Sequence, residues 1–288
     1  MEKYVVLFNK DAANKRGQEA ADKLKEILKD AEIEFKDMHE YTDYKALFDT
    51  FSDEDKLVIV GGDGTLNRFI NDSEGLYLTR PVYYYPGGNG NDFYADISNG
   101  GEPALVEITK YLKNLPEVTV KGKTYKFLNG IGYGIDGYCC EEGDKRKAKS
   151  DKPVNYTSIA ISGLLFHYKP TKATVTVDGV TKVFEKAWLA PTMNGRYYGG
   201  GMKVTPDQDR LHNETLSVAL MYGSGKLKTL MVFPKIFTGE HIKHTEMTAV
   251  LTGKEINVKF DRPVAAQIDG ETVLEVSEYT AKAPEIKD

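Results

Sequence analysis

Two apolar stretches that each run into a glycine-rich turn constrain the fold of this chain more than any other feature. Residues 57–60 have the sequence LVIV and stop at the pair GG, and residues 82–85 have the sequence VYYY and stop at PGG. Short apolar runs bounded by glycine and proline are typical of strands that are buried on both faces. We therefore predict two interior strands, each followed by a tight turn.

Helical periodicity around these strands predicts an α/β domain. A further strand is expected at residues 4–9, a helix at 18–29, and another helix at 103–115 that Pro116 closes. The order strand, helix, strand favours a parallel sheet with right-handed crossovers. The N-terminal part is therefore predicted to be an α/β domain with a parallel, Rossmann-like sheet.

Beyond residue 117 the pattern changes to short apolar runs separated by turns. Strands are predicted at 118–120, 125–128, 173–177, 183–189, 216–222 and 255–260, with one apolar helix at 156–168 that we interpret as part of the core. Short strands separated by turns are typical of an antiparallel β domain. The change in pattern places a domain boundary within residues 116–125.

The composition excludes several other classes of protein. The chain has 288 residues, 41% of them hydrophobic, and a formal net charge of −5, so we expect a large core and no nucleic-acid partner. No apolar run approaches the roughly 18 residues of a membrane span, and the first residues lack the features of a signal peptide. The two cysteines, Cys139 and Cys140, are adjacent and are interpreted as reduced structural thiols in a cytoplasmic protein.

The loop after the first interior strand has the residue types of a phosphate-binding site. Residues 57–71 have the sequence LVIVGGDGTLNRFIN. A strand that ends in glycines and turns directly into a helix exposes backbone N–H groups that phosphate oxygens can approach. Asp63 lies at the tip of this loop and is suited to bind Mg²⁺ or to accept a proton. The alternative is a tight turn in which Asp63 is only a helix cap.

The loop after the second interior strand has the same form. Residues 83–96 have the sequence YYYPGGNGNDFYAD. Ligands of open parallel sheets bind beyond the carboxyl ends of the strands, so the two loops are expected to meet there. Asp92 beside Asp63 would form a dicarboxylate site for a Mg²⁺-nucleotide, with helix capping as the alternative role of Asp92.

A third segment, AAQIDGETV at residues 265–273, contains the turn dipeptide Asp269-Gly270. On its own this pattern favours a hairpin turn with solvated acidic side chains. A functional interpretation depends on a wider resemblance.

Five motifs occur along the chain in one order. They are GGDGTLN at 61–67, PGGNGNDFYA at 86–95, FLNGIGYGIDG at 127–137, NGRYYGGGMKVTP at 194–206 and QIDGE at 267–271. Together they resemble the diacylglycerol kinase catalytic-domain family of lipid kinases, which includes sphingosine kinases and small bacterial lipid kinases. The resemblance extends over nearly the whole chain.

This resemblance implies the domain organisation and the activity. Residues 1–120 would form a nucleotide-binding α/β domain, completed by about residues 276–288, and residues 121–275 a β-sandwich domain for the lipid acceptor. The implied activity is ATP-dependent phosphorylation of a hydroxyl of a membrane lipid, diacylglycerol or a sphingoid base, with Mg²⁺. The implied location is cytoplasmic and peripheral at the membrane, and a homodimer is a possible assembly.

The resemblance also assigns site residues. The nucleotide-binding set is Asn9, Thr42, Gly61, Gly62, Asp63, Gly64, Thr65, Leu66, Asn67, Gly88 and Asn89. Asp63, Asp92 and Glu271 are implied as catalytic, with Asp63 and Asp92 handling Mg²⁺-ATP and Glu271 as the general base.

The chain also departs from the family pattern. The first loop, residues 9–17, lacks the family's proline, and Asn89 replaces a common threonine. Small bacterial members hold a structural Mg²⁺ on a turn with an aspartate. Here Asn213 stands in its place, with the carbonyls of Arg210 and Thr215 as the remaining ligands.

Two other functions remain open at this stage. A regulator that binds nucleotide or lipid without catalysis would share the fold, and an NAD kinase would share GGDGT. The basic run at 145–149, KRKAK, is either a solvated loop or a contact with anionic lipid headgroups.

Overall fold

The computed structural model describes residues 1–12, 16–150, 154–212 and 214–285. The chain is divided into two compact units, Met1–Asn114 and Leu115–Asp288. None of the helices in the described ranges is long and apolar enough to cross a membrane.

The first unit alternates strands and short helices. Its strands are β1 (Lys3–Phe8), β2 (Glu32–Asp37), β3 (Lys56–Gly61), β4 (Val82–Pro86) and β5 (Val106–Glu107). Its helices are α1 (Gly17–Asp22), α2 (Leu24–Ile27), α3 (Tyr44–Phe48), α4 (Asp63–Asp72), α5 (Asp92–Ile97) and α6 (Thr109–Leu112), with 3₁₀ turns at Met38–Glu40 and Leu76–Thr79.

The sheet of this unit has the strand order β2-β1-β3-β4-β5. The first four strands are parallel, and β5 pairs with β4 in the antiparallel direction. Residues 57–60 of β3 are fully buried, as expected for a strand covered on both faces. The chain leaves β1 toward β2 on one side and returns to β3 on the other, so the carboxyl ends of β1 and β3 form a topological switch point.

The second unit is built from twelve strands in the described ranges. They are β6 (Glu117–Val120), β7 (Lys123–Lys126), β8 (Gly130–Tyr133), β9 (Thr171–Val177), β10 (Val180–Ala187), β11 (Thr192–Met193), β12 (Tyr197–Tyr198), β13 (Met202–Lys203), β14 (Leu216–Met221), β15 (Thr248–Gly253), β16 (Glu255–Ile268) and β17 (Glu271–Lys282). The helices are α7 (Ile135–Lys147), α8 (Tyr156–Ser162) and α9 (Lys226–Val232), with a π-helical turn at Gly163–His167 and 3₁₀ turns at Phe233–Phe237 and Glu240–Lys243.

Strand β16 joins the two parts of the antiparallel sheet. Residues 256–260 of this strand pair with β9, and residues 266–268 pair with β8, while β17 follows it along both parts. The register shifts between these parts, at a β-bulge that bends the strand. One continuous sheet can therefore cover both sides of the core around Trp188, Tyr133 and Tyr279, which is a sandwich-like arrangement.

Several sequence predictions need correction. Residues 18–29 form two short helices rather than one, and only Thr109–Leu112 of the predicted helix at 103–115 is helical, because Val106–Glu107 extends to pair with β4. Helix α7 was not predicted, and both Cys139 and Cys140 lie on it.

The domain prediction also changes at both ends of the second unit. The boundary lies at residues 114/115 rather than 120/121, because β6 pairs with β17. Residues 276–282 do not complete the first unit, since they lie in β17 between β16 and β6. Residues 286–288 are outside the described ranges.

Candidate active site

The first glycine-rich loop joins β3 to α4 with almost no connecting residues. Gly61 ends β3, Gly62 is the N-cap, and Asp63 begins the helix. A Cβ on Gly61 would lie 2.5 Å from the side chain of Thr65, so only glycine fits there. The helix start therefore exposes its backbone N–H groups next to the end of a buried strand, which is a geometry that suits anions.

The second loop closes on itself before α5. The Asn91 side chain accepts a hydrogen bond from the Gly88 N–H at 2.9 Å and donates one to the Gly88 carbonyl at 2.9 Å. Asn91 adopts a left-handed conformation with φ of 50°, which asparagine tolerates better than most residues. Asn89 is exposed at the tip of the loop that these two hydrogen bonds close.

The two loops are in direct backbone contact, as the sequence predicts. The Gly87 N–H donates to the Gly61 carbonyl at 2.8 Å. A Cβ on Gly88 would lie only 2.3 Å from the Cα of Gly62. Glycine is therefore required here by the packing of one loop on the other, in addition to any approach of a phosphate group.

Asp63 links the loops through its carboxylate. Its two oxygens accept the backbone N–H groups of Asp92 and Phe93, each at 2.8 Å, at the N-terminus of α5. A negative charge at a helix N-terminus is favourable because the first N–H groups lack partners within the helix. Asp63 is thus a helix cap, but it caps the neighbouring helix rather than its own.

Asp92 lies next to Asp63 and is buried. Burial, together with the charges of Asp63 and Asp92, raises the pKa of Tyr84 well above its ordinary value. The Tyr84 hydroxyl donates to the Gly61 carbonyl at 2.8 Å. Both carboxylates therefore act on Tyr84, which stays neutral and supports the end of β3 through this hydrogen bond.

The other predicted nucleotide-binding residues follow the same edge of the sheet. The Asn9 side chain, at the end of β1, donates to the Thr65 hydroxyl at 3.3 Å across the switch point. Thr42 is exposed in the segment that follows β2. The side chains of Leu66 and Asn67 are buried, so Leu66 packs in the core and offers a ligand only its backbone.

One charged network at this edge was missed by the sequence analysis. Lys10 forms an ion pair with Asp37 at 2.9 Å, and Nδ1 of His39 lies 3.0 Å from the same carboxylate. Burial raises the pKa of Asp37, but the hydrogen bonds from Lys10 and His39 outweigh it and lower the pKa. The available signal was that Asp37 ends β2 and Lys10 comes two residues after the end of β1, and that these strands are parallel neighbours.

In the second unit, the QIDGE segment forms the hairpin between β16 and β17. Asp269 and Gly270 have φ values of 46° and 99°, as a two-residue hairpin turn requires. The carboxylate of Asp269 is buried and accepts the N–H groups of Leu128, Asn129 and Gly130. The expected hairpin is confirmed, but Asp269 is not solvated, because it fixes the turn to the start of β8.

Glu271 begins β17 directly after this turn and is exposed. Behind the turn, Gln267 accepts the Gly270 N–H and donates to Asp136 at 3.1 Å. Burial raises the pKa of Asp136 to about 7, although the hydrogen bond from Gln267 opposes the shift. An exposed carboxylate thus stands on a turn that is held from both sides, as a positioned base requires.

Arg210 and Thr215 of the predicted metal turn both take part in hydrogen bonds. The guanidinium of Arg210 donates to the Leu128 carbonyl and to the Asn129 side chain, each at 3.0 Å, and the Thr215 carbonyl accepts from Gln208 at 2.8 Å. Asn213 lies outside the described residues. Within the described ranges, no group of three or more His, Cys, Asp or Glu residues could hold a metal ion.

Two family models match the chain in succession. Residues 3–120 match the diacylglycerol kinase catalytic domain, and residues 129–286 match the YegS C-terminal NAD kinase beta sandwich-like domain. The second match covers more than half of the chain and agrees with the antiparallel unit. The chain therefore belongs to the family defined by the YegS C-terminal NAD kinase beta sandwich-like domain, and its N-terminal part matches the diacylglycerol kinase catalytic domain, as its motifs predict.

Individual relatives are similar at low identity. The "Putative lipid kinase YtlR" of Bacillus subtilis (strain 168) is 24% identical over 233 residues, which cover 75% of this chain and 74% of the relative. The "Diacylglycerol kinase" of Mycobacterium tuberculosis (strain ATCC 25618 / H37Rv) is 25% identical over 210 residues, 67% of this chain and 63% of the relative.

A solved structure has the same fold over almost the whole chain. It is described as the "Crystal structure of a putative diacylglycerol kinase from Bacillus anthracis str. Sterne". The TM-score is 0.64 at 18% identity, with 98% of this chain and 93% of that chain covered. This likeness confirms the predicted fold class.

Proposed function

We propose that this protein transfers the terminal phosphoryl group of Mg²⁺-ATP to a hydroxyl group of a membrane lipid, a diacylglycerol or a sphingoid base. The convergence of the two glycine-rich loops at the carboxyl ends of β3 and β4, next to the β1–β3 switch point, supports this proposal most. These loops present backbone N–H groups and small residues where a phosphate chain can lie against the protein. Family membership and the name of the Mycobacterium tuberculosis relative support a lipid as the acceptor.

The residues at this edge fit a magnesium ion that arrives with the nucleotide. Asp63 and Asp92 are in contact at this edge, where the Asp92 backbone N–H donates to the Asp63 carboxylate, and no group of three or more acidic, cysteine or histidine residues could hold a metal ion among the described residues. Mg²⁺ commonly keeps several waters and is held by one or two carboxylates together with substrate phosphates. Bound there, the ion would neutralise charge on the phosphates during transfer.

Glu271 supplies the base in this proposal. Its carboxylate is exposed, so an acceptor hydroxyl can reach it, while the turn before it is fixed by Asp269 and Gln267. The carboxylate orients the hydroxyl and accepts its proton as the oxygen attacks phosphorus. Positioned acid–base groups typically contribute a factor of about 10²–10⁴ to the rate.

Replacement of Glu271 by glutamine tests this function directly. Glu271→Gln keeps the shape and the hydrogen-bonding capacity but removes the proton acceptor, so transfer of labelled phosphate from ATP to lipid should fall by about 10²–10⁴-fold. Nucleotide affinity, measured by calorimetry, should stay unchanged. Glu278→Gln, an exposed acid on the same strand, is the matched control and should retain full activity.

Three outcomes would contradict the proposal. A Glu271→Gln protein with undiminished transfer would remove this residue as the base. A wild-type protein that binds nucleotide but phosphorylates nothing in a total lipid extract would favour a regulator. Phosphorylation of NAD instead of lipid would identify an NAD kinase.

A further inference from the structure

The second unit has an exposed apolar surface whose side chains do not contribute to the core. Phe166, Leu227 and Met231 have 74%, 75% and 70% of their surface exposed, and Ile161 has 42%. We call these four residues the apolar patch. Large side chains exposed to this extent, and close together, commonly mark an interaction site.

The patch combines two neighbouring helical segments. Lys226, at the start of α9, donates from Nζ to the Leu165 carbonyl in the π-helical turn at 2.7 Å, which brings the two segments together. Leu227 and Met231 are four residues apart on α9 and therefore share one helix face. Thr229 and Val232 on the other side of α9 are buried.

The apolar segment at 156–168, which the sequence predicts to be part of the core, also has one buried face and one exposed face. Ile159 and Leu164 are buried in the core, whereas Ile161 and Phe166 are exposed. Asn155, Ser158, Ile161, Ser162, Leu165 and Phe166 line a shallow groove along this exposed face. The core interpretation is thus right for one face of the segment and wrong for the other.

The two chain segments that form the patch carry basic but no acidic side chains, although Lys228 is paired with Glu246 from outside them at 3.0 Å. Residues 154–172 and 222–238 contain five lysines (169, 172, 226, 228 and 235) and no aspartate or glutamate. Another basic residue, Lys147 of the 145–149 run, lies with Nζ 5.8 Å from the ring of Tyr156 at the start of α8. The excess of basic residues in these segments contrasts with the net charge of −5 of the whole chain.

We propose that the apolar patch and its surrounding lysines dock the second unit on a lipid bilayer that carries anionic headgroups. An apolar face with basic residues on its border is the pattern by which proteins insert shallowly into such a surface. A second copy of this chain fits less well, because a symmetric contact would bring the same lysines together from both sides. This inference rests on the proposed function and identifies the surface through which the enzyme would reach its lipid.

The patch is connected to the hairpin that carries Glu271 by two contacts within the unit. The Thr272 hydroxyl, one residue after Glu271, donates to Asp144 of α7 at 2.6 Å. Three residues further along α7, Lys147 contacts Tyr156 of α8. Contact between the patch and a bilayer would therefore hold the β16–β17 hairpin, which carries Glu271, near the lipid headgroups.

Flotation with vesicles tests the proposal. The wild-type protein should bind vesicles of phosphatidylcholine with phosphatidylglycerol, bind pure phosphatidylcholine vesicles much less, and be released between about 0.05 M and 0.5 M salt. The triple variant Phe166→Ser, Leu227→Ser, Met231→Ser should partition at least about tenfold less. Because these side chains are exposed, the variant should keep the thermal unfolding profile of the wild type.

Matched controls use other parts of the same unit. Val180→Ser changes an apolar residue that is 64% exposed at the tip of the β9–β10 hairpin, and it should leave flotation unchanged. Lys226→Gln with Lys228→Gln should weaken binding to phosphatidylglycerol vesicles several-fold, whereas Lys254→Gln with Lys282→Gln should not.

Two results would overturn the docking proposal. One is undiminished flotation of the folded triple variant. The other is wild-type self-association that the triple variant abolishes, with no binding to either vesicle type, because the patch would then cover a second copy. Phosphate transfer to lipid dispersed in detergent micelles is measured in parallel. Flotation without any transfer would contradict the proposed function alone, and transfer without flotation would contradict the docking surface alone.

Discussion

Asp63 combines an observed structural contact with a proposed role in the reaction. Its carboxylate fixes the N-terminus of α5, and in the proposed reaction the same group lies beside Mg²⁺-ATP. A carboxylate offers about four lone-pair sites, so an oxygen that accepts a backbone N–H is still able to accept from a metal-bound water. The capping bonds also orient the group, which is what a ligand site needs.

Asp63→Ala should therefore affect both structure and activity. We expect phosphate transfer to be lost, and the amides of Asp92 and Phe93 to exchange with solvent roughly fivefold faster, since loss of a cap costs about 1 kcal/mol. Hydrogen exchange of a peptide that spans α5 measures the second effect. Asp72→Ala, at the other end of α4, is the control. Unchanged exchange in α5 would mean that Asp63 does not hold this helix.

Among the structural elements, the paired loops are the feature that depends most on glycine. The Cβ that an alanine would add at position 88 would lie 2.3 Å from the backbone of Gly62, and one at position 62 would lie 3.1 Å from Gly88. Neither contact can be relieved by rotating a side chain, because both partners are backbone atoms. We therefore expect the loss of stability on substitution by alanine to be larger at position 88, where the distance is shorter, than at position 62.

Gly88→Ala should destabilise the first unit by roughly 1–3 kcal/mol, as overpacking does, and should weaken nucleotide binding. Gly62→Ala should have a smaller effect of the same kind. Gly225→Ala, whose Cβ would meet no atom within 4 Å, is the control and should be neutral. Chemical denaturation and nucleotide titration check the ranking, and equal effects at 62 and 88 would contradict it.

The elements differ in how far the sequence predicts them. Strands β1, β3 and β4 and both glycine loops were predicted, because buried apolar runs and glycines are local signals. Helix α7 was not, since Gly137 and Gly143 lie within it and no amphipathic periodicity marks it. Both glycines are needed for packing, as a Cβ on Gly137 would lie 1.8 Å from the Ala265 carbonyl oxygen. Such close approaches are tertiary and leave no local pattern.

The site was predicted to a similar extent. The sequence brought Asp63 and Asp92 to one edge, because parallel strands end together. It did not predict that Asp63 caps α5, nor that Asp269 binds three backbone N–H groups of the 128–130 segment. Both bonds join parts of the chain that are distant in sequence, so their partners follow only from the assembled fold.

At the scale of the whole molecule, each unit contributes one half of the proposed chemistry. The first unit carries the loops for the phosphates, and the second carries Glu271 and the apolar patch. The second unit also has a buried carboxyl group, Asp136, whose raised pKa makes the stability of the protein depend on pH.

For Asp136 the folded pKa of about 7 lies above the value near 4 of an unfolded chain. Between these values only the unfolded state loses its proton. The contribution of this group to stability is therefore complete below about pH 4 and is lost as pH rises through about 7. Asp136→Asn removes this titration. The free energy of unfolding of this variant should exceed that of the wild type at pH 8 by on the order of a few kcal/mol, and the two values should be nearly equal at pH 4.

Urea unfolding of the two proteins across this pH range checks the expectation. Glu142→Gln, which changes a half-buried acid paired with Lys145 on the same helix, is the control and should follow the wild type throughout. A constant difference between Asp136→Asn and the wild type at all pH values would show that the carboxyl group does not titrate as described.

The contact between Gly62 and Gly88 has a consequence for the design of inhibitors. Because the floor of the proposed phosphate site is backbone packed on backbone, it presents a rigid surface without side chains that a compound could displace. A selective compound would instead need to extend along the sheet edge to the Lys10, Asp37 and His39 network beyond β1 and β2. Those side chains form a distinctive charge pattern, whereas the floor offers only amide groups that any phosphate mimic can use.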